Sequence, residues 1–130
     1  MSRAARRDTL PERRLRSDLH RRGLRFRVDV PLPFDRRRRA DIVFPGSRVM
    51  VFVDGCFWHV CPEHATWPKA NAGWWRRKLR KNVERDRDTD ERLRALGWAV
   101  ERVWEHEAAE DAADRIEALV RSRVDQAARA

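Results

Sequence analysis

The chain has 130 residues, with 30 Lys and Arg against 21 Asp and Glu, four His and two Cys. That length suits one domain and excludes two full-sized ones; no apolar run reaches the ~18–20 residues of a bilayer span, and the basic start from Met1 to Arg7 lacks the apolar stretch of a secretory signal. Six Trp and five Phe exclude disorder, and two Cys five positions apart make no disulfide framework, so a cytoplasmic protein using its thiols for metal or redox chemistry is expected.

In chain order, Thr9-Leu10-Pro11-Glu12 reads as a helix-capping box, with Leu15 and Leu19 continuing one apolar face and Gly23 ending it. Leu24, Phe26, Val28 and Val30 alternate with polar residues, the period of a strand. Pro31, Pro33 and the run Arg36–Arg39 predict a loop, followed by a short strand Asp41–Phe44, a turn at Pro45-Gly46-Ser47 and a largely apolar central strand Val49–Val53. Residues 54–70 have no periodicity and hold both Cys, so a functional loop is expected there. Asn71 should cap a long helix to about Leu96, stopped by Gly97; Trp98–Val103 is a further strand and roughly Glu107–Arg123 a final helix. The order helix, three strands, helix, strand, helix predicts an α/β domain whose sheet is covered by helices on both faces, the last strand being reached by a helical crossover.

The charge is uneven. Residues 1–40 hold 14 Arg against five acids, and residues 41–130 hold 16 basic and 16 acidic residues, so the whole excess of +9 lies in the first third. Genome composition accounts for the choice of Arg over Lys but not for this placement, and a nucleic acid is the expected partner, since phosphate contacts release counterions and give sequence-independent affinity.

Cys56-Phe57-Trp58-His59-Val60-Cys61-Pro62-Glu63-His64 packs two Cys and two His into nine residues, and His106 follows the last strand. Zinc takes four N/S ligands, and five candidates compete: Cys56, His59, Cys61, His64 and His106; both Cys-x-x-His pairs have acceptable spacing. A structural zinc would supply the ordering free energy that this loop's composition lacks.

Asp41, Asp54, Glu12 and Asp86 come from separate elements beside the basic region. Converging, they could hold Mg²⁺ for phosphoryl chemistry; taken singly, each has a structural reading as an ion-pair or capping residue. Trp98 and Trp104 read as core, whereas Phe57-Trp58, with Trp74 and Trp75, fit either packing or a wedge between base steps.

The string Gly55-Cys56-Phe57-Trp58-His59 after an apolar strand resembles the very-short-patch repair endonucleases, bacterial nickases of T:G mismatches. So do Arg7-Asp8-Thr9 with Glu12, Gly23 to Val28, Asp41 to Phe44, Lys81 to Arg87, and Leu96-Gly97-Trp98 through Val103-Trp104-Glu105, together covering roughly residues 6–107. The resemblance implies a restriction-endonuclease-like core: one domain over residues 1–130, with a flexible basic arm (1–8), a catalytic core (9–107) and a C-terminal helix (108–130). It implies that Asp41 and the backbone carbonyl of Val53 bind Mg²⁺, two ions being expected, and that His59 is the base or water-positioning residue, with Glu12 and Asp86 completing the catalytic set. It implies one zinc on Cys56, Cys61, His64 and His106, intercalation by Phe57, Trp58 and Trp75, and groove contacts from Arg37, Arg38 and Arg39.

The chain departs from the family pattern in four places, one being a short N-terminal arm before Arg7. A Cys₂His₂ zinc set stands where members carry more His and a last Cys; Val53-Asp54 replaces a Thr-His, leaving Asp54 an accessory role near the cation; and Arg37-Arg38-Arg39-Ala40 replaces Gly-Arg-Pro. The expected function is strand-specific nicking of duplex DNA 5′ to the T of a T:G mismatch left by 5-methylcytosine deamination, by a monomer linked functionally to a DNA-cytosine methyltransferase and to mismatch-repair proteins. The alternatives are a restriction or defence nuclease of the same fold cutting matched DNA, and a non-catalytic zinc-stabilised DNA-binding module.

Overall fold

The structure, a computed structural model, describes residues 9–55 and 71–129, with side chains as far as residue 124. Helix α1 (Leu10–Arg21) starts as its sequence dictates: Thr9 is extended, its hydroxyl faces the Glu12 N–H at 3.5 Å, and Pro11 sits in the first turn, where it forfeits no helical bond. Gly23, at φ +79°, lets the chain turn away behind it.

Strands β1 (Arg27–Leu32) and β2 (Asp35–Phe44) form an antiparallel hairpin closing at Leu32 and Asp35. The arginine run Arg36–Arg39 is therefore strand, not the loop expected from its charge and prolines. Two physical reasons explain the difference. Pro31 lies on an edge strand, where a missing N–H is tolerated. The arginines also find acids across the hairpin and beyond it: Arg38 pairs with Asp35 at 3.2 Å and Asp88 at 2.7 Å, and Arg39 with Asp29 at 2.7 Å.

Strand β3 (Val49–Asp54) pairs antiparallel with β2 and parallel with β4 (Ala99–Trp104), in register from Val49 opposite Ala99 to Asp54 opposite Trp104. Among the described residues the sheet has four strands in the order β1-β2-β3-β4. Helix α2 (Ala72–Ala95) precedes β4, matching the expected helical connection. Asn71 stands before α2 in the left-handed region (φ 56°) and makes no side-chain capping bond; a capping side chain needs an extended backbone, so the expected Asn cap is not formed. The far end behaves as expected. Gly97 (φ +91°) donates to the Arg94 carbonyl at 3.0 Å and Trp98 to that of Leu93 at 2.9 Å, a Schellman stop.

Helix α3 (Ala109–Arg129) begins two residues later than expected, because the Glu107 carboxylate turns back to accept the Trp104 N–H at 3.0 Å. Strand alternation sorts the core into two layers. Ile42, Phe44, Val49 and Val51 pack with Leu15 and Leu19 of α1 and Ile116 and Val120 of α3. Val43, Met50 and Phe52 pack on the opposite face with Leu93 of α2. The result is a mixed α/β domain with helices on both faces of a mixed sheet. No helix among the described residues is long and apolar enough to cross a membrane.

Candidate active site

The β2–β3 ladder ends at Ile42 opposite Val51, and beyond it the two strands part. At the fork, Asp41 replaces the missing backbone partner: its Oδ2 accepts the Val53 N–H at 2.7 Å. In an extended strand a residue's N–H and C=O face the same neighbour, so the Val53 carbonyl is directed to this side as well. The Asp54 carbonyl faces the other way and accepts the Glu105 N–H at 2.9 Å.

Glu12 comes from α1, is only 4% exposed, and lies within hydrogen-bond reach of the Asp41 carboxyl; Arg16 pairs with it at 3.4 Å. Burial pushes the Asp41 carboxyl up from 3.8 to about 7; the Val53 N–H opposes this, while the charges of Glu12 and Asp54 and a hydrogen bond to Glu12 add to it. A cleft of about 690 Å³ opens over the pair, lined also by Arg16, His20, Arg27 and Asp29. The lining thus sets the carboxylates of Glu12, Asp29 and Asp41 among the cationic side chains of Arg16 and Arg27, which can pair with a phosphodiester.

Hard oxygen donors at the end of a strand, two of them carboxylates forced together, are a set suited to Mg²⁺, which takes one or two carboxylates and completes its shell with waters and phosphate. Among the described residues no three His, Cys, Asp or Glu side chains cluster as a cage. The chemistry of Asp41, Glu12 and the Val53 carbonyl therefore fits a cation.

A consequence for stability follows from the Asp41 shift. Between 3.8 and about 7 the folded metal-free chain holds a proton that the unfolded chain has released. Its stability should therefore rise as pH falls through about 7 toward about 4 and decline as pH rises through the same window. Urea midpoints at about pH 5 and about pH 8 in chelator measure this. The expected midpoint is higher at the lower pH, with a smaller difference in Asp41→Asn; an Asp41→Asn chain that keeps the wild-type difference would contradict the assignment.

Sequence reasoning missed Arg102. Its guanidinium donates to both oxygens of Asp54 (3.1 and 3.0 Å), to Asp90 through Nε (3.0 and 3.1 Å) and Nη2 (2.8 Å), and to the Asp86 carbonyl (3.4 Å). It also lies 4.4 Å from the centre of the Phe52 ring. Burial would lower its pKa, but the hydrogen bond to Asp90 and the charges of Asp54, Asp86 and Asp90 hold it above the usual arginine range. The available signal was the one Arg of a strand that carries only Glu101 as its other charged residue, before Val103-Trp104, facing a helix with acids four residues apart at Asp86 and Asp90.

The family model described as "DNA mismatch endonuclease Vsr" matches residues 1–64. The chain is also 38% identical over 123 residues to the type II nicking enzyme V.XorIIP of Xanthomonas oryzae pv. oryzae, an alignment covering 91% of this chain and 84% of that protein. The chain belongs to the DNA mismatch endonuclease Vsr family. It is 50% identical over 106 residues to the type II nicking enzyme V.NaeI of Lentzea aerocolonigenes (80% of this chain) and 44% identical over 106 residues to the DNA mismatch endonuclease Vsr of Escherichia coli (78% of this chain). The match spans 64% of the length of each of these two relatives.

Within this Vsr-family chain, the structure brings Glu12, Asp41 and the backbone of Val53 together, and places Asp54 and Asp86 around Arg102. Trp75 is half-buried at the start of α2, edge-on to the exposed Trp74 at 4.8 Å. Arg37 is exposed on the hairpin, while Arg38 and Arg39 are engaged by the acids named above. His106 is exposed in the turn after β4. Gly55 lies against the side chain of Glu105, so the positions preceding Cys56 and His106 are neighbours. Cys56, Phe57, Trp58, His59, Cys61 and His64 lie outside the described residues.

Proposed function

We propose that this Vsr-family chain is a Mg²⁺-dependent, zinc-stabilised endonuclease that nicks one strand of duplex DNA 5′ to the T of a T:G mismatch, starting very-short-patch repair. The carrying observation is the Asp41 carboxylate bonded to the Val53 N–H at the β2–β3 fork, facing Glu12 at the edge of a cleft that Arg16 and Arg27 also line. The four-stranded mixed sheet is compatible with the restriction-endonuclease-like core implied by the sequence.

Asp41, the Val53 carbonyl and, beside them, Glu12 would hold Mg²⁺, which when bound lowers the cost of negative charge developing on a phosphoryl group and its leaving oxygen. The Val53 N–H fixes the Asp41 carboxylate against rotation, so the ligand is oriented before substrate arrives. Arg16 and Arg27 line the path along which a phosphate would approach, and His59 takes or orients the proton of the attacking water in this reading. Phe57, Trp58 and Trp75 open the duplex beside the mismatch. Zinc on Cys56, Cys61, His64 and His106 orders the loop carrying His59, a reading supported by the contact between Gly55 and Glu105. Links to a DNA-cytosine methyltransferase and to mismatch-repair proteins, and action as a monomer, belong to the same proposal.

The second reading, a restriction or defence nuclease of the same fold acting on matched DNA, is favoured by the similarity to type II nicking enzymes such as V.NaeI and V.XorIIP. Nicking of end-labelled T:G and T:A duplexes of one sequence in Mg²⁺ separates the two. The expected preference for T:G is at least about 10²-fold, the scale on which differential transition-state binding of a few kcal/mol operates. Equal rates on both would replace mismatch repair by cleavage of matched sites, and binding without cleavage of either would favour the non-catalytic module.

A further inference from the structure

Arg102 has no part in the cation site described above, yet it holds the residue that follows Val53. Strand alternation packs the Val53 side chain on the α1 and α3 face and turns the Asp54 side chain to the α2 face, where Asp54 is only 5% exposed. There it remains close enough for its charge to raise the pKa of Asp41. Three carboxylates, those of Asp54, Asp86 and Asp90, surround the single guanidinium of Arg102, with the face of Phe52 beside it. Burying Asp54 without that partner would leave an uncompensated carboxylate beside Glu12 and Asp41.

We propose that Arg102 is a positioning residue of the catalytic centre: by engaging both oxygens of Asp54 it keeps that carboxylate out of the Asp41–Glu12 cation site, and by gripping Asp86 and Asp90 it fixes α2 against the end of β3. The planar fork of the guanidinium serves Asp54 through one nitrogen and Asp90 and the Asp86 carbonyl through the others. An ammonium has no such geometry, so Arg102→Lys should only partly substitute. The role goes beyond stapling a helix to a sheet. It makes Asp54 the counter-ion of Arg102 and leaves the cation to Asp41 and the Val53 carbonyl, with Glu12 beside them and Asp54 held away.

The inference rests on the cation reading, and cation binding can be measured without DNA. Free Mn²⁺ is followed by electron paramagnetic resonance as the full chain is titrated, with thermal unfolding recorded in parallel. Arg102→Met releases Asp54 toward the cation, so Mn²⁺ should bind about tenfold more tightly, while kcat for nicking falls about 10–100-fold with little change in KM. Asp54→Asn should leave Mn²⁺ affinity within about threefold of wild type, and the double variant should return to that level. Unchanged Mn²⁺ affinity in a folded Arg102→Met chain would show a purely structural Arg102 and overturn the proposal. So would an affinity loss of about tenfold in Asp54→Asn, which would make Asp54 a ligand; this second variant decides the matter if Arg102→Met fails to fold. A wild-type chain with no Mn²⁺ affinity would instead overturn the underlying cation reading.

Discussion

Replacing Asp41 by Ala is expected to lower nicking of a T:G duplex by about 10³-fold or more, the scale on which loss of a charge-stabilising group at a reacting centre operates. Affinity for the same duplex should stay within a few-fold. The two effects separate for a physical reason. In the proposed function, binding would draw on phosphate contacts from the Arg-rich first third, whose net charge of +9 is untouched by the substitution. In that function, catalysis would depend on the Asp41 carboxylate, which the Val53 N–H holds in one orientation. Gel-shift titration and single-turnover nicking measure the two quantities on the same preparation. Asp41→Asn should be nearly as inactive, since a neutral amide cannot supply the charge, although it preserves the shape of the fork. An Asp41→Ala chain cutting at the wild-type rate would remove Asp41 from the reaction.

The second large effect concerns the proposed zinc. Cys61→Ser should lose bound zinc and solubility together, because a structural ion contributes on the order of ten kcal/mol to ordering the segment that holds it. Zinc content by plasma emission spectroscopy and the soluble fraction on expression are the two readouts. A strong chelator acting on the wild-type chain should reproduce the loss, and readdition of zinc should reverse it. A folded, zinc-free, active Cys61→Ser chain would contradict a structural site. His106, in the turn beside Gly55 and Glu105, should behave as Cys61 does when changed to Ala.

Much of the scaffold was legible in the sequence because its signals were local. Thr9 with Pro11 opened the first helix, Gly97 closed the long one, and the apolar run from Val49 marked the central strand. Local signals failed where partners lay far along the chain. The arginine run read as loop because its compensating acids, Asp29 and Asp88, are 10 and 50 residues away from their arginines. Asn71 read as a cap because its type favours caps, whereas its backbone took the left-handed region instead.

The site divides in the same way. Asp41 and Glu12 were identifiable as acids near a basic surface, and the resemblance assigned them roles. Neither observation could reveal that Asp41 would satisfy a backbone N–H where two strands part, since that depends on the ladder stopping at Ile42. Asp54 was expected near the cation, and it does sit next to the fork. Its partner Arg102 lies 48 residues on, in a different strand, and only parallel pairing of β3 with β4 brings the two side by side.

The most direct test is a crystal structure of the chain grown with Mn²⁺, with the ion located by its anomalous scattering. The expected result is a peak bonded to the Asp41 carboxylate and the Val53 carbonyl, with Glu12 alongside and Asp54 still on Arg102. A peak elsewhere on the chain, with Asp41 remaining bound only to the Val53 N–H, would contradict the assignment of this fork as the catalytic centre.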